Sequence, residues 1–212
     1  MRQLFGRKAK SAERNRAEMK ILYINACVRA ESRTKILADY LLDHLKKIDS
    51  LDVDEIILEN ECLQPLDGAG LEARNAAVLA GDYSAKVYDY AKKLLTADVV
   101  VIAAPYWDLS FPASLKTFFE NVTVDGLTFH YTEEGFPEGL CKAEKLFFVT
   151  TAGGPVVSDE YGFGYVRDLA KFYYGIPEAV QFKAEYLDVV GADVPAILEK
   201  AKNSISDYFM KE

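Results

Sequence analysis

The sequence predicts an α/β protein, a doubly wound, five-stranded parallel sheet with helices on both faces. Three observations predict it. From Met19 onward, short apolar runs alternate with segments of helical period. The runs Ile21–Ile24 and Val99–Ala104 are continuously apolar, as strands covered on both faces must be. The 212 residues are 50% hydrophobic, carry no biased tract, and hold no stretch near the roughly 18 apolar residues that a membrane span needs.

The elements follow in order. Ile21–Ile24 is the first strand, and residues 32–48 place Ile36, Leu37, Tyr40, Leu41, Leu45 and Ile48 on one helical face. Val53 to Leu58 is the second strand. Residues 59–81, with Pro65, Gly68, Gly70 and Gly81, are long for a loop and include a short helix over 71–80. Tyr83 to Thr96 is helical, with Val87, Ala91, Leu94 and Leu95 turned inward. The third strand, Val99–Ala104, gives the strongest strand signal in the chain.

Pro112 opens the next helix as a first-turn proline. Leu115, Phe118, Phe119 and Val122 then follow at i, i+3, i+4 and i+7. Lys145 to Thr151 is the fourth strand, and Val166, Leu169, Ala170 and Tyr173 repeat the helical spacing. The fifth strand lies within Ala179 to Val190, and Val194, Ile197, Ala201, Ile205 and Tyr208 line the closing helix. Right-handed crossovers leave few ways to wind such a chain, and five strands favour the flavodoxin-like order 2-1-3-4-5.

Charge and cysteine usage narrow the function classes. The net charge is −8, but residues 1–18 carry six basic against two acidic residues. These read as a basic, poorly ordered N-terminal extension, and residues 19–212 read as the domain. The acidic domain repels phosphate backbones, so nucleic acid is not an expected partner. Cys27, Cys62 and Cys141 form no CxxC pair and no disulfide framework, and His44 and His130 lie far apart. No metal site is expected, and a reducing, cytoplasmic setting fits.

In this topology ligands bind at the carboxyl ends of the strands beside the switch point, so the loops after residues 26, 104 and 151 should converge. The first loop has neither GxGxxG nor GxxxxGK[ST]. It offers Ser32, Arg33 and Thr34 at a helix N-terminus, which suits a single phosphate monoester. The second, Pro105-Tyr106-Trp107-Asp108-Leu109-Ser110-Phe111-Pro112, places two aromatics between prolines as a platform for a flat ligand. The third, Thr151-Ala152-Gly153-Gly154-Pro155, has adjacent glycines that permit positive φ and close backbone approach. Each loop also has a plainer reading: Ser32 as an N-cap, Trp107 and Phe111 as core, Gly153-Gly154 as a turn. Together they describe FMN, with phosphate at the first loop, ring at the second and ring edge at the third.

The sequence resembles the FMN-dependent NADH-azoreductase and NAD(P)H:quinone oxidoreductase family over roughly residues 19–190. The resemblance is carried by Ser32-Arg33-Thr34, by the stretch from Ala103 to Lys116, by Gly126-Leu127-Thr128-Phe129-His130-Tyr131-Thr132 with Gly139-Leu140, and by Thr150-Thr151-Ala152-Gly153-Gly154. It implies bound FMN and ping-pong transfer of two electrons from NADH or NADPH to quinones, azo compounds or similar small aromatic acceptors. It also implies a homodimer with the active site at the subunit interface. By position, Ser32, Arg33 and Thr34 would hold the phosphate. Pro105, Tyr106, Trp107, Asp108 and Leu109 would frame the isoalloxazine, largely through backbone amides, and Thr151, Gly153 and Gly154 would meet its far edge. Tyr131, with His130 beside it, would line the substrate pocket. Cys27 reads as a buried, inert thiol. Asp108 stands where the family more often has Asn, so its carboxylate is expected to point away from the ring. Two rival roles are a flavodoxin-type single-electron carrier and an FMN-binding regulatory module without turnover.

Overall fold

The computed structural model describes residues 18–211. The expected extension over residues 1–18 therefore lies, but for Glu18, outside the described residues. Five strands form the main sheet: β1 (Met19–Asn25), β2 (Leu51–Ile57), β3 (Val99–Ala103), β6 (Lys145–Thr151) and β7 (Glu178–Ala184). All pairings are parallel and the spatial order is β2-β1-β3-β6-β7, the order expected from the sequence. Between β3 and β6 the chain makes a small antiparallel hairpin, β4 (Phe129–Tyr131) and β5 (Pro137–Gly139).

The period of two along the strands builds two cores. Ile21 and Tyr23 of β1, Val99, Val101 and Ala103 of β3, and Phe147 and Val149 of β6 face one side. There they meet helices α1 (Arg33–Ile48) and α6 (Val194–Met210). Leu22, Ile24, Val100, Ile102, Leu146 and Phe148 face the other side. They meet α3 (Asp89–Thr96), α4 (Ala113–Val122) and α5 (Tyr165–Tyr173). Every residue of β3 and β6 is buried, whereas in β2, an edge strand, only Ile56 is. Lys145 is buried at the start of β6, where its Nζ lies 2.6 Å from the Tyr208 hydroxyl and 3.0 Å from a Glu178 carboxylate oxygen. A charge so placed is tolerable only because it is paired.

Four local expectations are corrected. The buried face of α1 runs through Thr34, Leu37, Ala38, Leu41, Leu42 and Leu45, leaving Ile36 exposed. The buried face is thereby turned by about one position from the expected one. The segment after Tyr83 is not one helix: a 3₁₀ turn (Lys86–Tyr88) precedes α3, and Val87 faces solvent. Asp82 accepts from the Ser84 amide and the Tyr83 hydroxyl donates to the Asp125 carbonyl, so local bonds compete with helix there. Pro112 precedes α4 as its cap, with the first helical residue at Ala113. The short helix expected over 71–80 is α2 (Gly68–Ala80), started by Asp67, which accepts from the Gly70 amide, and ended by Gly81 at φ 63°. No residue of α2 is buried.

Candidate functional site

The first loop is held from below. The Asn25 side chain accepts from the Cys27 amide at 3.0 Å and donates to Glu55 on β2. The chain then climbs to Ser32, whose hydroxyl accepts from the Lys35 amide at 3.2 Å and so starts α1. The amides of Arg33 and Thr34 find no acceptor among the described residues. They are free donors at the positive end of a 16-residue helix.

The second loop is a tight hairpin. Trp107 and Ser110 exchange both backbone hydrogen bonds, 3.0 and 2.7 Å, around Asp108 at φ 49° and Leu109 at φ 70°. Two consecutive left-handed residues make a type I′ turn, which Leu109 adopts at a cost of about 1 kcal/mol. Strain of this kind is kept where a loop must present a particular surface. The Tyr106 amide donates to the Thr151 carbonyl at 2.9 Å, and the Ser110 hydroxyl to the Tyr161 carbonyl at 2.6 Å. Tyr106 and Trp107 therefore have no backbone donor left for a ring, which corrects part of the expected framing. The amides of Asp108 and Leu109 do remain unpaired among the described residues.

The third loop has its glycines for a different reason than expected. Neither Gly153 nor Gly154 has a positive φ. A Cβ on Gly153 would collide with the Asp188 carboxylate, while Gly154 faces open space. The segment after β7 runs alongside: Tyr186, Leu187 and Asp188 donate their amides to the carbonyls of Gly154, Ala152 and Gly153 at 3.0, 3.2 and 2.9 Å. The Gly153 and Gly154 amides find no acceptor among the described residues.

These loops enclose a cavity of about 260 Å³. Ser32, Arg33, Thr34, Pro105, Tyr106, Trp107, Thr151 and Gly153, all expected from the sequence, line it together. Thr34 and Thr151 are both buried and their hydroxyls meet at 2.6 Å, tying α1 to β6. Arg33 reaches across the wall, donating to the Leu187 carbonyl at 2.9 Å and to an Asp188 carboxylate oxygen at 2.7 Å. Asp108, Leu109 and Gly154 do not line the cavity, and Asp108 is exposed.

His130 and Tyr131 do not line it either. They sit on the β4–β5 hairpin, His130 3.3 Å from Glu138, and Tyr131 half exposed. The Tyr131 phenol is pushed up by its hydrogen bond with Tyr173. Packing of Phe129 against Tyr131 and Tyr173 holds the hairpin on α5, away from the cleft.

Asp188 was not singled out in the sequence. Its signal was weak but real: the rule that ligands lie at strand carboxyl ends also covers the strand beside the fourth.

Cys27 lines the cavity, yet it is buried and its Sγ lies 3.8 Å from the Ala103 carbonyl. Burial pushes its thiol above the ordinary value, so its thiolate is scarcer at neutral pH than that of a free cysteine. Cys62 is exposed. Brief iodoacetamide treatment at pH 7.5 is expected to alkylate Cys62 and spare Cys27, read by peptide mass spectrometry. Equal labelling would mean that the Cys27 thiol is open and reactive.

Comparison with known proteins agrees with this architecture. A family model described as flavodoxin-like fold matches residues 19–209. The FMN-dependent NADH:quinone oxidoreductase of Lachnoclostridium phytofermentans is 34% identical over 190 residues, covering 86% of this chain and 94% of its own. The FMN-dependent NADH:quinone oxidoreductase 2 of Clostridium acetobutylicum is 36% identical over 203 residues, covering 89% and 99%. Among solved structures, an azoreductase from Bacillus anthracis superposes with a TM-score of 0.77 at 23% identity, covering 92% of this chain and 100% of that one. Fold, switch-point cleft and relatives coincide: the chain belongs to the family of the FMN-dependent NADH:quinone oxidoreductases, within the flavodoxin-like fold.

Proposed function

We propose that the protein is an FMN-dependent oxidoreductase that passes two electrons from NADH or NADPH to quinones, azo compounds or similar aromatic acceptors. The observation that carries this reading is the cleft itself. Unpaired amides at the start of α1, the Arg33 guanidinium, the aromatic surface of Tyr106 and Trp107 and the unpaired Gly153 amide line one cavity, a set that suits a phosphate and a flat ring. The relatives named for FMN-dependent NADH:quinone oxidoreduction support it, as does a Bacillus anthracis FMN-dependent NADH-azoreductase solved with FMN, TM-score 0.75.

Each part of the chain has its task. The Arg33 and Thr34 amides, the α1 dipole and the Arg33 charge hold the phosphate. Pro105, Tyr106 and Trp107 flank the ring, and Thr151 with Thr34 fixes the distance between its two anchorages. The unpaired amide of Gly153, which lines the cavity, would supply a donor to the ring's polar edge, where it stabilises negative charge that develops on reduction. FMN supplies the hydride chemistry when bound, so no side chain need act as acid or base in its reduction. Donor and acceptor would use one slot beside Trp107, which is 41% exposed.

A homodimer completes the reading. Helix α2 is largely apolar, yet only its Ala77 and Val78 pack on the core and Leu79 is 90% exposed, and the β4–β5 hairpin exposes Tyr131 and Phe136. Such surface suits a second copy, which would bring its hairpin to the neighbouring cleft and give Tyr131 and His130 their role in the substrate slot.

Steady-state kinetics test the reaction order. With FMN-loaded protein, NADH varied at several fixed benzoquinone concentrations should give parallel double-reciprocal lines. Intersecting lines would require both substrates to be bound at once, against a shared slot.

A further inference from the structure

Two hydroxyls in the wall of the cleft hold one proton more than the protein uses. Thr34 is the second residue of α1 and Thr151 the last of β6, and both line the cavity. They are 1% and 8% exposed, and their Oγ1 atoms lie 2.6 Å apart. Each hydroxyl has one proton to give and two lone pairs to receive with. One proton serves the bond between them. The other has no acceptor among the described residues, because neither hydroxyl makes a second hydrogen bond there. A buried O–H without an acceptor is costly, and the space beside this pair is the cavity itself. The pair is therefore built to donate once to a ligand.

The neighbours decide which hydroxyl makes that donation. The Thr34 amide is unpaired at the positive end of α1, as is the Arg33 amide before it. An anion seated on those amides can only accept, so it draws the Thr34 proton. Thr151 is fixed from behind, its carbonyl accepting from the Tyr106 amide at 2.9 Å. Its hydroxyl then has one acceptor left, the Thr34 oxygen.

We propose that Thr151 is a positioning residue for the anion site: its hydroxyl donates to Thr34 Oγ1, which turns the Thr34 proton onto the phosphate. The inference rests on the FMN reading of the same cleft and adds to it a residue that acts on the phosphate through another side chain. Hydrogen bonds in such a chain polarise one another, and an anion at its end orients every link. The start of α1 and the end of β6, 117 residues apart in sequence, are thereby joined by one ordered chain of protons. A flavin without a phosphate leaves that order unset.

The test is the affinity of the purified protein for FMN and riboflavin, followed by quenching of flavin fluorescence. The proteins are wild type, Thr151→Val, Thr151→Ser, Thr34→Val and the double variant Thr34→Val/Thr151→Val. Valine keeps the shape of threonine and removes the hydroxyl, whereas serine keeps the hydroxyl. Thr151→Val should weaken FMN binding by about three- to tenfold and leave riboflavin unchanged, and Thr151→Ser should restore FMN binding. Thr34→Val should weaken FMN by about tenfold or more, and Thr151→Val should add no further loss in that background, where the chain is already cut. Should Thr151→Val fail to fold, the double variant, which leaves no buried hydroxyl alone, carries the test: its FMN affinity should equal that of Thr34→Val. Unchanged FMN affinity in Thr151→Val overturns the proposal, as does an equal loss for both flavins, which would mark Thr151 as a ring contact or a purely structural one. A double variant weaker than Thr34→Val by the full Thr151→Val factor overturns it too, because Thr151 would then act without Thr34. Wild type that binds riboflavin as tightly as FMN would instead overturn the phosphate assignment, and wild type that takes up no flavin would overturn the reading of the cleft and this inference with it.

Discussion

Gly139→Ala is expected to lower the melting temperature by about 6–12 °C, from overpacking of about 3 kcal/mol and 2–4 °C per kcal/mol in a chain of this size. Gly139 ends β5, where the hairpin crosses the chain leaving α5. A Cβ there would run into the backbone of Tyr174 and Gly175. Backbone cannot rotate away as a side chain can, so the hairpin must lift. Two bonds feel that movement, the Cys141 amide to the Tyr174 carbonyl at 3.2 Å and the Leu140 amide to the Thr128 carbonyl at 2.9 Å. Gly175 itself stands at φ 71° and is closed in by the Gly139 carbonyl, so both sides of the crossing are glycine for want of space. Gly68→Ala, at the first turn of α2 with nothing near its Cβ, is the control and should cost nothing. Equal melting temperatures for the two variants would contradict the close crossing.

Arg33→Ala is expected to weaken FMN binding by about ten- to a hundredfold, the range set by the loss of charge-assisted hydrogen bonds. Two effects add. The phosphate loses its guanidinium, and Asp188 loses its partner and stands in the wall as an uncompensated negative charge. The fold should survive, because the Asp188 side chain is 62% exposed and water can take over its solvation. Riboflavin, which has no phosphate, should bind as before, so a parallel titration separates loss of the anion site from general damage. Unchanged FMN affinity would remove Arg33 from the site.

Much of this was legible in the sequence, and for physical reasons. Val99–Ala104 is continuously apolar, as is Leu146–Val149 within the fourth strand, because both faces of a central strand are covered, and five strands with right-handed crossovers leave few orders to choose from. Ser32 could be read because an N-cap hydroxyl and a helix start leave a fixed trace. What escaped depended on tertiary contact. Ile36 and Leu42 exchange places between solvent and core through a rotation of α1 that periodicity does not resolve. The commitment of the Tyr106 amide to Thr151 ties the loop after β3 to the end of β6, 45 residues away in sequence, and is invisible to local reading. Gly153 was read as conformational freedom, whereas its lack of a side chain makes room for Asp188, 35 residues downstream. His130 and Tyr131 were placed in a substrate pocket by resemblance, whereas within one chain they lie on the β4–β5 hairpin packed against α5, outside its own cleft.

An anaerobic visible titration tests the central claim most directly. The protein would be incubated with FMN, desalted and titrated with NADH. Retained flavin absorbance that bleaches fully at one equivalent of NADH per flavin is the expected result, since a cleft with phosphate, ring and ring-edge anchorages should keep FMN through desalting and leave its face open to the nicotinamide. Flavin that is retained but ignores both NADH and NADPH would contradict the oxidoreductase reading and favour an electron carrier or a regulatory module. Flavin lost on desalting would contradict the cleft itself.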